Sequence, residues 1–214
     1  MALSLLKYLK AHDNVVWDWN GTLLNDLDVV MKAEAEHFPV YGIPVPTLED
    51  RAKLFCFPIR TYYDRLGFKY ESKSFEDINR EFMTIYERLL GEAPLFHEAR
   101  DLLVQLKTEG KKQFILSAAP QDHLHGVLAK LEVDHIFEAV YGLPNTNADS
   151  KLERGRQLVA DTRIEPARTI MVGDSVHDAE VGRALGFDVL LLADGHQPFE
   201  TLAKNHHHVL RTRF

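Results

Sequence analysis

The chain has 214 residues, of which 45% are hydrophobic and 27% are charged, as is typical of a globular protein with a substantial core. Its formal net charge of −7 argues against a nucleic-acid-binding protein, which normally has a basic face, and against a polybasic membrane anchor. No apolar run approaches the roughly 20 residues of a membrane span, and the start lacks a signal-peptide cleavage site, so we expect a cytoplasmic protein.

The first predicted elements are a short amphipathic helix within residues 1–13 and then a strand from Asn14 to Trp17. The strand is favoured because β-branched and aromatic residues suit a covered pleated surface. Asp18 stands where this strand ends, and Gly21 permits a sharp turn after it. A carboxylate in this place would face the crevice in which open α/β sheets bind ligands.

The stretch from Asp26 to about Ala93 predicts helices and no strand. Apolar residues recur at helical spacing within about 27–40, 48–55, 58–66 and 75–90. Thr47 and Ser74 precede acidic residues, which is typical of helix N-caps, and Gly67 is typical of a helix end.

From Pro94 onward, predicted helices alternate with predicted strands. The helices lie at 97–107, 121–131, 151–161 and 175–185, and the strands at 113–117, 136–141, 169–173 and 188–192. Strands that alternate with helices predict a parallel sheet with crossover connections.

Four polar motifs lie at the ends of these strands or at a helix start. They are Asp-x-x-Gly-Thr beginning at Asp18, a strand that ends in Ser117, Lys151 at the start of a helix, and Gly-Asp-x-x-x-Asp with its acids at Asp174 and Asp178. In this order the set resembles the four motifs of the haloacid dehalogenase-like hydrolase superfamily.

The resemblance extends from Val15 to about His196. It implies an α/β fold in which a Rossmann-like parallel sheet forms the core and an all-helical cap, of the type called C1, is inserted after the first strand. This is the arrangement of the phosphoglycolate phosphatase-like group. We therefore expect residues 1–25 and 94–214 to form the catalytic core and residues 26–93 to form the cap.

The two strand-end acids, Asp18 and Asp174, predict a cation site. Neighbouring parallel strands would bring the two carboxylates together, where they would repel each other without a cation, and Mg²⁺ prefers oxygen ligands. The resemblance adds the backbone carbonyl of Asn20 as a ligand. Asp178, one helical turn after Asp174, could hold a metal-bound water or the ammonium of Lys151.

The resemblance also assigns the catalytic roles. Asp18 would attack phosphorus and form an aspartyl-phosphate, a known covalent route for carboxylates. Ser117 would offer its hydroxyl, Ala118 its backbone N–H, and Lys151 its charge to the phosphoryl group. Thr22 could hold a phosphate oxygen or cap the turn. We therefore expect a magnesium-dependent phosphomonoester hydrolase that acts on a small phosphorylated metabolite.

Asn20 departs from the family pattern. Most phosphatases of this family carry a second aspartate there, which protonates the leaving oxygen and then activates water. General acid–base help contributes typically ~10²–10⁴-fold, and asparagine has no titratable proton to give. Three explanations stay open: a substrate with a good leaving group, a substitute such as a cap histidine or water, or a catalytically weak protein that binds a phosphometabolite for regulation.

A phosphonate hydrolase is a further alternative. One branch of the family, which cleaves phosphonates, has Asp-Trp-Ala-Gly-Thr at the first motif and forms a Schiff base with a cap lysine. Lys53 is a candidate for that lysine. Arg60 and Lys53 are also candidates for binding an anionic tail of the substrate, and each could instead be a solvated helix residue.

Overall fold

One sheet of six parallel strands runs through the chain, of which the computed structural model describes residues 2–144, 151–193 and 195–211. The strands are β1 (Asn14–Trp17), β2 (Lys112–Pro120), β3 (Ala139–Leu143), β4 (Thr169–Gly173), β5 (Asp188–Leu192) and β6 (Val209–Leu210). Their order across the sheet is β3-β2-β1-β4-β5-β6, and every pair is parallel. The predicted α/β fold with a Rossmann-like parallel sheet is therefore confirmed.

Helices connect the strands and fill the long segment between β1 and β2. The helices are α1 (Ala2–Lys10), α2 (Leu27–His37), α3 (Leu48–Leu54), α4 (Ile59–Leu66), α5 (Phe75–Leu90), α6 (Ala99–Thr108), α7 (Gln121–Lys130), α8 (Lys151–Thr162), α9 (Val176–Ala184) and α10 (Phe199–Asn205). Within the described ranges, none of them has the length and apolar character needed to cross a membrane.

The central strand β1 is apolar because both faces of the sheet are covered, as is usual for parallel sheets. All four of its residues are buried. Val15 and Trp17 belong to the core cluster on one face, and Val16 belongs to the cluster on the other. The indole N–H of Trp17 donates to Oε1 of Gln113 at 3.2 Å, so its polar atom is also satisfied.

Helices α2 to α5 pack around an aromatic cluster of their own. Its buried members are Phe38, Phe55, Tyr62, Tyr63, Phe68, Phe75 and Ile78. Thr47 and Ser74 accept hydrogen bonds from the backbone N–H groups of Asp50 and Asp77, so both act as the predicted N-caps. This insertion lies between β1 and β2 in the chain and contacts the loop after β1, where Asn20 bonds with Tyr86.

The structure differs from the predicted elements at several boundaries. The helix predicted to reach residue 40 ends at His37 and continues as a 3₁₀ turn, Phe38–Tyr41, because Pro39 has no N–H for a helical bond. The strand predicted from 136 begins at Ala139, since Asp134–Ile136 form another 3₁₀ turn. Helix α10 and strand β6 were not predicted.

Candidate active site

The sheet order brings the polar strand ends to one place. Trp17 pairs with Ile115 of β2 on one side and with Val172 of β4 on the other. The residues that follow these pairs therefore meet at the carboxyl edge. Among them are three of the predicted site residues, Asp18, Ser117 and Asp174, and all three are buried.

Lys151 joins two carboxylates of this cluster. It is the first residue of α8, and its side chain is 3% exposed. Its Nζ donates to Oδ1 of Asp18 at 2.5 Å and to Oδ1 of Asp178 at 2.6 Å. A buried ammonium at a helix N-terminus opposes the helix dipole, and these two charge-assisted bonds compensate for that cost.

The three aspartates lie close enough to share one cation. One carboxylate oxygen from each of Asp18, Asp174 and Asp178 lies within 4.8 Å of the others. Burial raises the pKa of Asp18 to about 7; Lys151 opposes this shift, whereas Asp178 and Asp174 add to it. Three buried acids beside one ammonium carry excess negative charge, and a divalent cation with oxygen ligands would fit this donor set.

Asp174 is held by groups from two loops. The hydroxyl of Thr22 lies 3.2 Å from Oδ2 of Asp18 and 3.4 Å from Oδ1 of Asp174, so its one proton is shared between the two carboxylates. The backbone N–H of His196 donates to Oδ2 of Asp174 at 2.5 Å. Gly21 has φ +71°, and a β-carbon there would collide with the Asp174 carboxylate, so the close approach of this turn requires glycine.

Asp178 combines two roles. Its Oδ2 accepts from the backbone N–H and hydroxyl of Ser175, which completes a capping box at the start of α9. Its Oδ1 faces Lys151. Of the two partners considered for Asp178 from the sequence, the structure places the ammonium of Lys151 against it.

Asn20 presents its side chain to a second acid rather than to Asp18. Its Nδ2 donates to Oδ2 of Asp26 at 2.9 Å and to the hydroxyl of Tyr86 at 2.7 Å. Tyr86 donates in turn to Oδ2 of Asp26 at 2.8 Å, and the N–H of Gly21 donates to Oδ1 at 2.9 Å. Burial acts to raise the pKa of Asp26, but His196 and these donors outweigh it and lower the pKa.

A chain of buried polar groups continues from Asp26 into the helical insertion. Nε2 of His196 lies 3.4 Å from Oδ1 of Asp26, and Nη1 of Arg51 lies 3.3 Å from Nδ1 of His196. Nε of Arg51 donates to Oε1 of Glu34 at 3.0 Å, and the hydroxyl of Tyr62 donates to the same oxygen at 3.0 Å. This chain connects the sheet edge to α2, α3 and α4.

These groups line one pocket of about 170 Å³ between the sheet edge and the helical insertion. The predicted phosphate-binding residues Ser117, Ala118 and Lys151 lie in its lining. Arg60 does not: it is exposed, and its guanidinium lies 5.1 Å from the centre of the Tyr70 ring. The structure therefore brings the predicted catalytic and metal-binding residues together. Thr22 lies beside Asp18 and Asp174 but outside the pocket lining, and Arg60 lies apart from them.

A family model for haloacid dehalogenase-like hydrolases matches residues 15–192. The chain belongs to the haloacid dehalogenase-like hydrolases. It is 26% identical over 190 residues to a phosphoglycolate phosphatase of Synechococcus elongatus, and the match covers 88% of this chain and 87% of that protein. The grouping with phosphoglycolate phosphatase-like members of the family, expected from the motifs, agrees with this relative.

A second relative is the tyrosine-protein kinase PtkA of Mycobacterium tuberculosis, which is 23% identical over 184 residues. That match covers 85% of this chain and 62% of the kinase. The solved structure of the same protein has a TM-score of 0.79 at 20% identity, with 95% of each chain covered. A haloacid dehalogenase-like hydrolase from Bacteroides fragilis has a TM-score of 0.82 at 15% identity, covering 94% of this chain and 97% of its own.

Sequence reasoning found the motif residues of this hydrolase but missed the second polar chain. The sequence places Asp26 only at the start of the helical stretch, and no motif singles out Glu34, Arg51 or Tyr86 as site residues. Their partners lie up to 145 residues away in the sequence, so no local spacing could reveal them. The one sequence feature that points to these residues is Asn20, because an asparagine where the motif has an aspartate implies a different partner for that side chain.

Proposed function

We propose that this hydrolase is a magnesium-dependent phosphatase that cleaves phosphomonoesters through an aspartyl-phosphate at Asp18. The observation that carries the proposal is the cluster of Asp18, Lys151 and Asp178 beside Asp174 and Ser117 at the sheet edge. The relative described as a phosphoglycolate phosphatase supports the same reaction class.

The metal would be held by the carboxylates of Asp18 and Asp174 and by the backbone carbonyl of Asn20. When bound, a magnesium ion neutralises charge on a phosphoryl group and on the acids around it. Asp178 contributes indirectly in this proposal, because its oxygens bind Lys151 and the turn that carries Asp174.

The chain's own residues then act in a defined order. A carboxylate oxygen of Asp18 attacks phosphorus, the ester P–O bond breaks, and its electron pair leaves on the alcohol oxygen. Ser117 and the N–H of Ala118 hold the phosphoryl oxygens, while Lys151 compensates negative charge at Asp18. Water then cleaves the aspartyl-phosphate, which releases inorganic phosphate and regenerates Asp18.

Asn20 shapes the substrate range in this proposal. Its amide N–H groups are engaged with Asp26 and Tyr86, and the amide has no titratable proton to transfer to a leaving oxygen. Hydrolysis of an ester whose alcohol departs readily as an anion is slowed little by this, whereas release of a basic alkoxide is slowed by the ~10²–10⁴-fold typical of general acid help. We infer that the enzyme favours phosphomonoesters with good leaving groups.

Two other functions are weaker candidates. One is a catalytically weak protein that binds a phosphorylated metabolite. Asn20 supports this function, because the lack of an acid at position 20 slows hydrolysis without removing the residues that bind phosphate. A phosphonate hydrolase that uses Lys53 gains no support, since Lys53 is exposed, pairs with Glu49 at 2.6 Å and lies outside the pocket lining.

The deciding experiment measures phosphate release from phenyl phosphate and from 2-phosphoglycolate, with magnesium or with EDTA. We expect turnover with magnesium, no turnover with EDTA, and no turnover in the Asp18→Asn variant, whose circular dichroism should match the wild type. Binding of phosphate esters without any release in the wild-type protein would contradict the phosphatase proposal and favour the binding protein.

A further inference from the structure

The part of the pocket beyond the carboxylate cluster is lined mainly by aromatic side chains. They include Phe55, Phe57, Tyr62, Tyr63, Phe82 and Tyr86. The whole pocket, including its carboxylate end, has a volume of about 170 Å³, and a cavity of about 150 Å³ is enough to hold a benzene ring. Aromatic walls bind another ring through stacked or edge-to-face contacts, so the surface of this part suits a ring, and the volume of the whole pocket limits that ring to a small one.

The guanidinium of Arg51, in the pocket lining, is already compensated. Arg51 donates to the buried carboxylate of Glu34, and its guanidinium also lies 4.7 Å from the centre of the Phe55 ring. Arg60, which a carboxylate-bearing substrate could have used, lies outside the lining. In the described lining, the guanidinium that could bind an anionic substrate tail already has a buried counter-ion. This counter-ion weakens the attraction between the guanidinium and such a tail.

Two buried polar atoms in the lining lack a partner. Oε2 of Glu34 and the hydroxyl of Tyr63 make no hydrogen bond with any residue that the structure describes, although both side chains are at least 98% buried. Buried polar groups are normally hydrogen-bonded, so each of these atoms indicates an absent partner. A carboxylate oxygen accepts hydrogen bonds, so Oε2 of Glu34 could accept one from a ligand hydroxyl.

We propose that the substrate is a phosphomonoester of a small aromatic alcohol whose ring carries a hydroxyl group, and that Glu34 is the residue that selects this hydroxyl. The ring would lie among the aromatic walls, with the phosphoryl group at Asp18 and Ser117. This proposal rests on the phosphatase function proposed above. Asn20 agrees with it, because an aryl oxide departs without a proton more readily than an alkoxide does.

The test compares the binding of three phosphonates. These compounds have no P–O ester bond between the phosphorus and the organic group, so they can bind without being hydrolysed there. Calorimetry with magnesium present would measure 4-hydroxybenzylphosphonate, benzylphosphonate and 3-phosphonopropionate, the last being the counterpart of phosphoglycolate. We expect the hydroxylated ring to bind about tenfold more tightly than the plain ring, as one charge-assisted hydrogen bond allows, and the carboxylate to bind most weakly. Equal or tighter binding of 3-phosphonopropionate would overturn the proposal.

The Glu34→Gln variant isolates the proposed hydrogen bond. Its carbonyl oxygen must stay with the donors Arg51 and Tyr62, so the amide N–H₂ replaces Oε2 in the pocket. We expect the tenfold advantage of the hydroxyl to shrink, because a neutral amide replaces the charged acceptor, while benzylphosphonate binds unchanged; an undiminished advantage would overturn the role of Glu34. The matched control is Arg80→Ala, an exposed residue of α5 paired with Asp77, which should leave all three affinities unchanged.

The outcomes separate this proposal from the phosphatase function. Hydrolysis of 2-phosphoglycolate in preference to phenyl phosphate would refute the aromatic substrate and leave the phosphatase intact. Tight binding of the hydroxylated phosphonate without hydrolysis of any ester would refute the phosphatase and leave the aromatic pocket intact. If Glu34→Gln does not fold, the comparison of the two ring phosphonates on the wild-type protein decides the proposal.

Discussion

Replacing Lys151 with methionine tests the electrostatic account of the active site. Methionine has nearly the same length but no charge, so the change removes the ammonium that lies 2.5 Å from Asp18 and 2.6 Å from Asp178. Both acids are buried and cannot be solvated in its place. Removing one partner of a buried ion pair costs about 3–5 kcal/mol, because an uncompensated charge stays behind.

The cost should depend on pH in a known direction. The folded-state pKa of Asp18 is about 7, above its usual 3.8, so Asp18 favours the folded state at low pH and this contribution is lost as pH rises through 7. Without Lys151 this pKa rises further. At pH 5 Asp18 is protonated in both proteins, so the destabilisation should be smaller there than at pH 8.

Urea unfolding followed by circular dichroism, with EDTA present, measures both effects. With a slope of about 2 kcal/mol per molar urea, the expected cost lowers the midpoint at pH 8 by about 2 M. Lys204→Met, an exposed lysine of α10, is the control and should shift the midpoint little. An unchanged midpoint for Lys151→Met at pH 8, or a larger loss at pH 5, would refute the reasoning.

Three further changes address the metal and the missing acid. Asp174→Ala should weaken magnesium binding by calorimetry, and excess magnesium should restore part of the turnover; full activity at low magnesium would contradict its role as ligand. Asn20→Asp places a second carboxylate against Asp26 and should lower stability in urea by about 1–3 kcal/mol, the cost of an unmade buried hydrogen bond. Combining Asn20→Asp with Asp26→Asn restores a donor between the two positions, so the double variant should regain that stability. It should also raise the hydrolysis of alkyl phosphates by up to ~10²-fold, and raise the hydrolysis of aryl phosphates by less. An equal change for both ester classes would show that position 20 does not govern the leaving group.

The sheet and its functional edge were predictable because their signals are local. Each strand core is an apolar run, and the polar residue that follows it marks the edge. Once the strands are parallel and β1 lies between β2 and β4, Asp18, Ser117 and Asp174 have to meet. Lys151 was found by its motif, although the loop before it, residues 145–150, lies outside the described residues.

The walls of the pocket were not predictable in the same way. Helical spacing shows that α4 buries Tyr62 and Tyr63, but it does not show which element faces its remaining side. The sequence therefore leaves Arg60 either as a ligand for the substrate or as a solvated helix residue, and the structure has it exposed, over the Tyr70 ring. Arg51, nine residues earlier, is buried among aromatic side chains because Glu34, on a different helix, compensates its charge.

Asn20 and Asp26 are best understood as a pair. Oδ2 of Asp26 accepts from the amide of Asn20 and the hydroxyl of Tyr86, and Oδ1 accepts from the N–H of Gly21. An aspartate at position 20 would place a carboxylate oxygen 2.9 Å from Oδ2, where like charges repel in a buried site. The asparagine therefore follows from the acid at position 26.

The same pairing has a consequence for the reaction. Asp26 cannot easily replace the lost acid, because the surrounding donors and His196 hold its pKa below the usual value and keep it ionised. A carboxylate bound in this way fixes the turn that carries Asn20 and Gly21 and connects it, through His196 and Arg51, to the helical insertion. The chain thus has a firmly held loop beside Asp18 in place of a proton donor, which agrees with the proposed preference for esters that leave as stable anions.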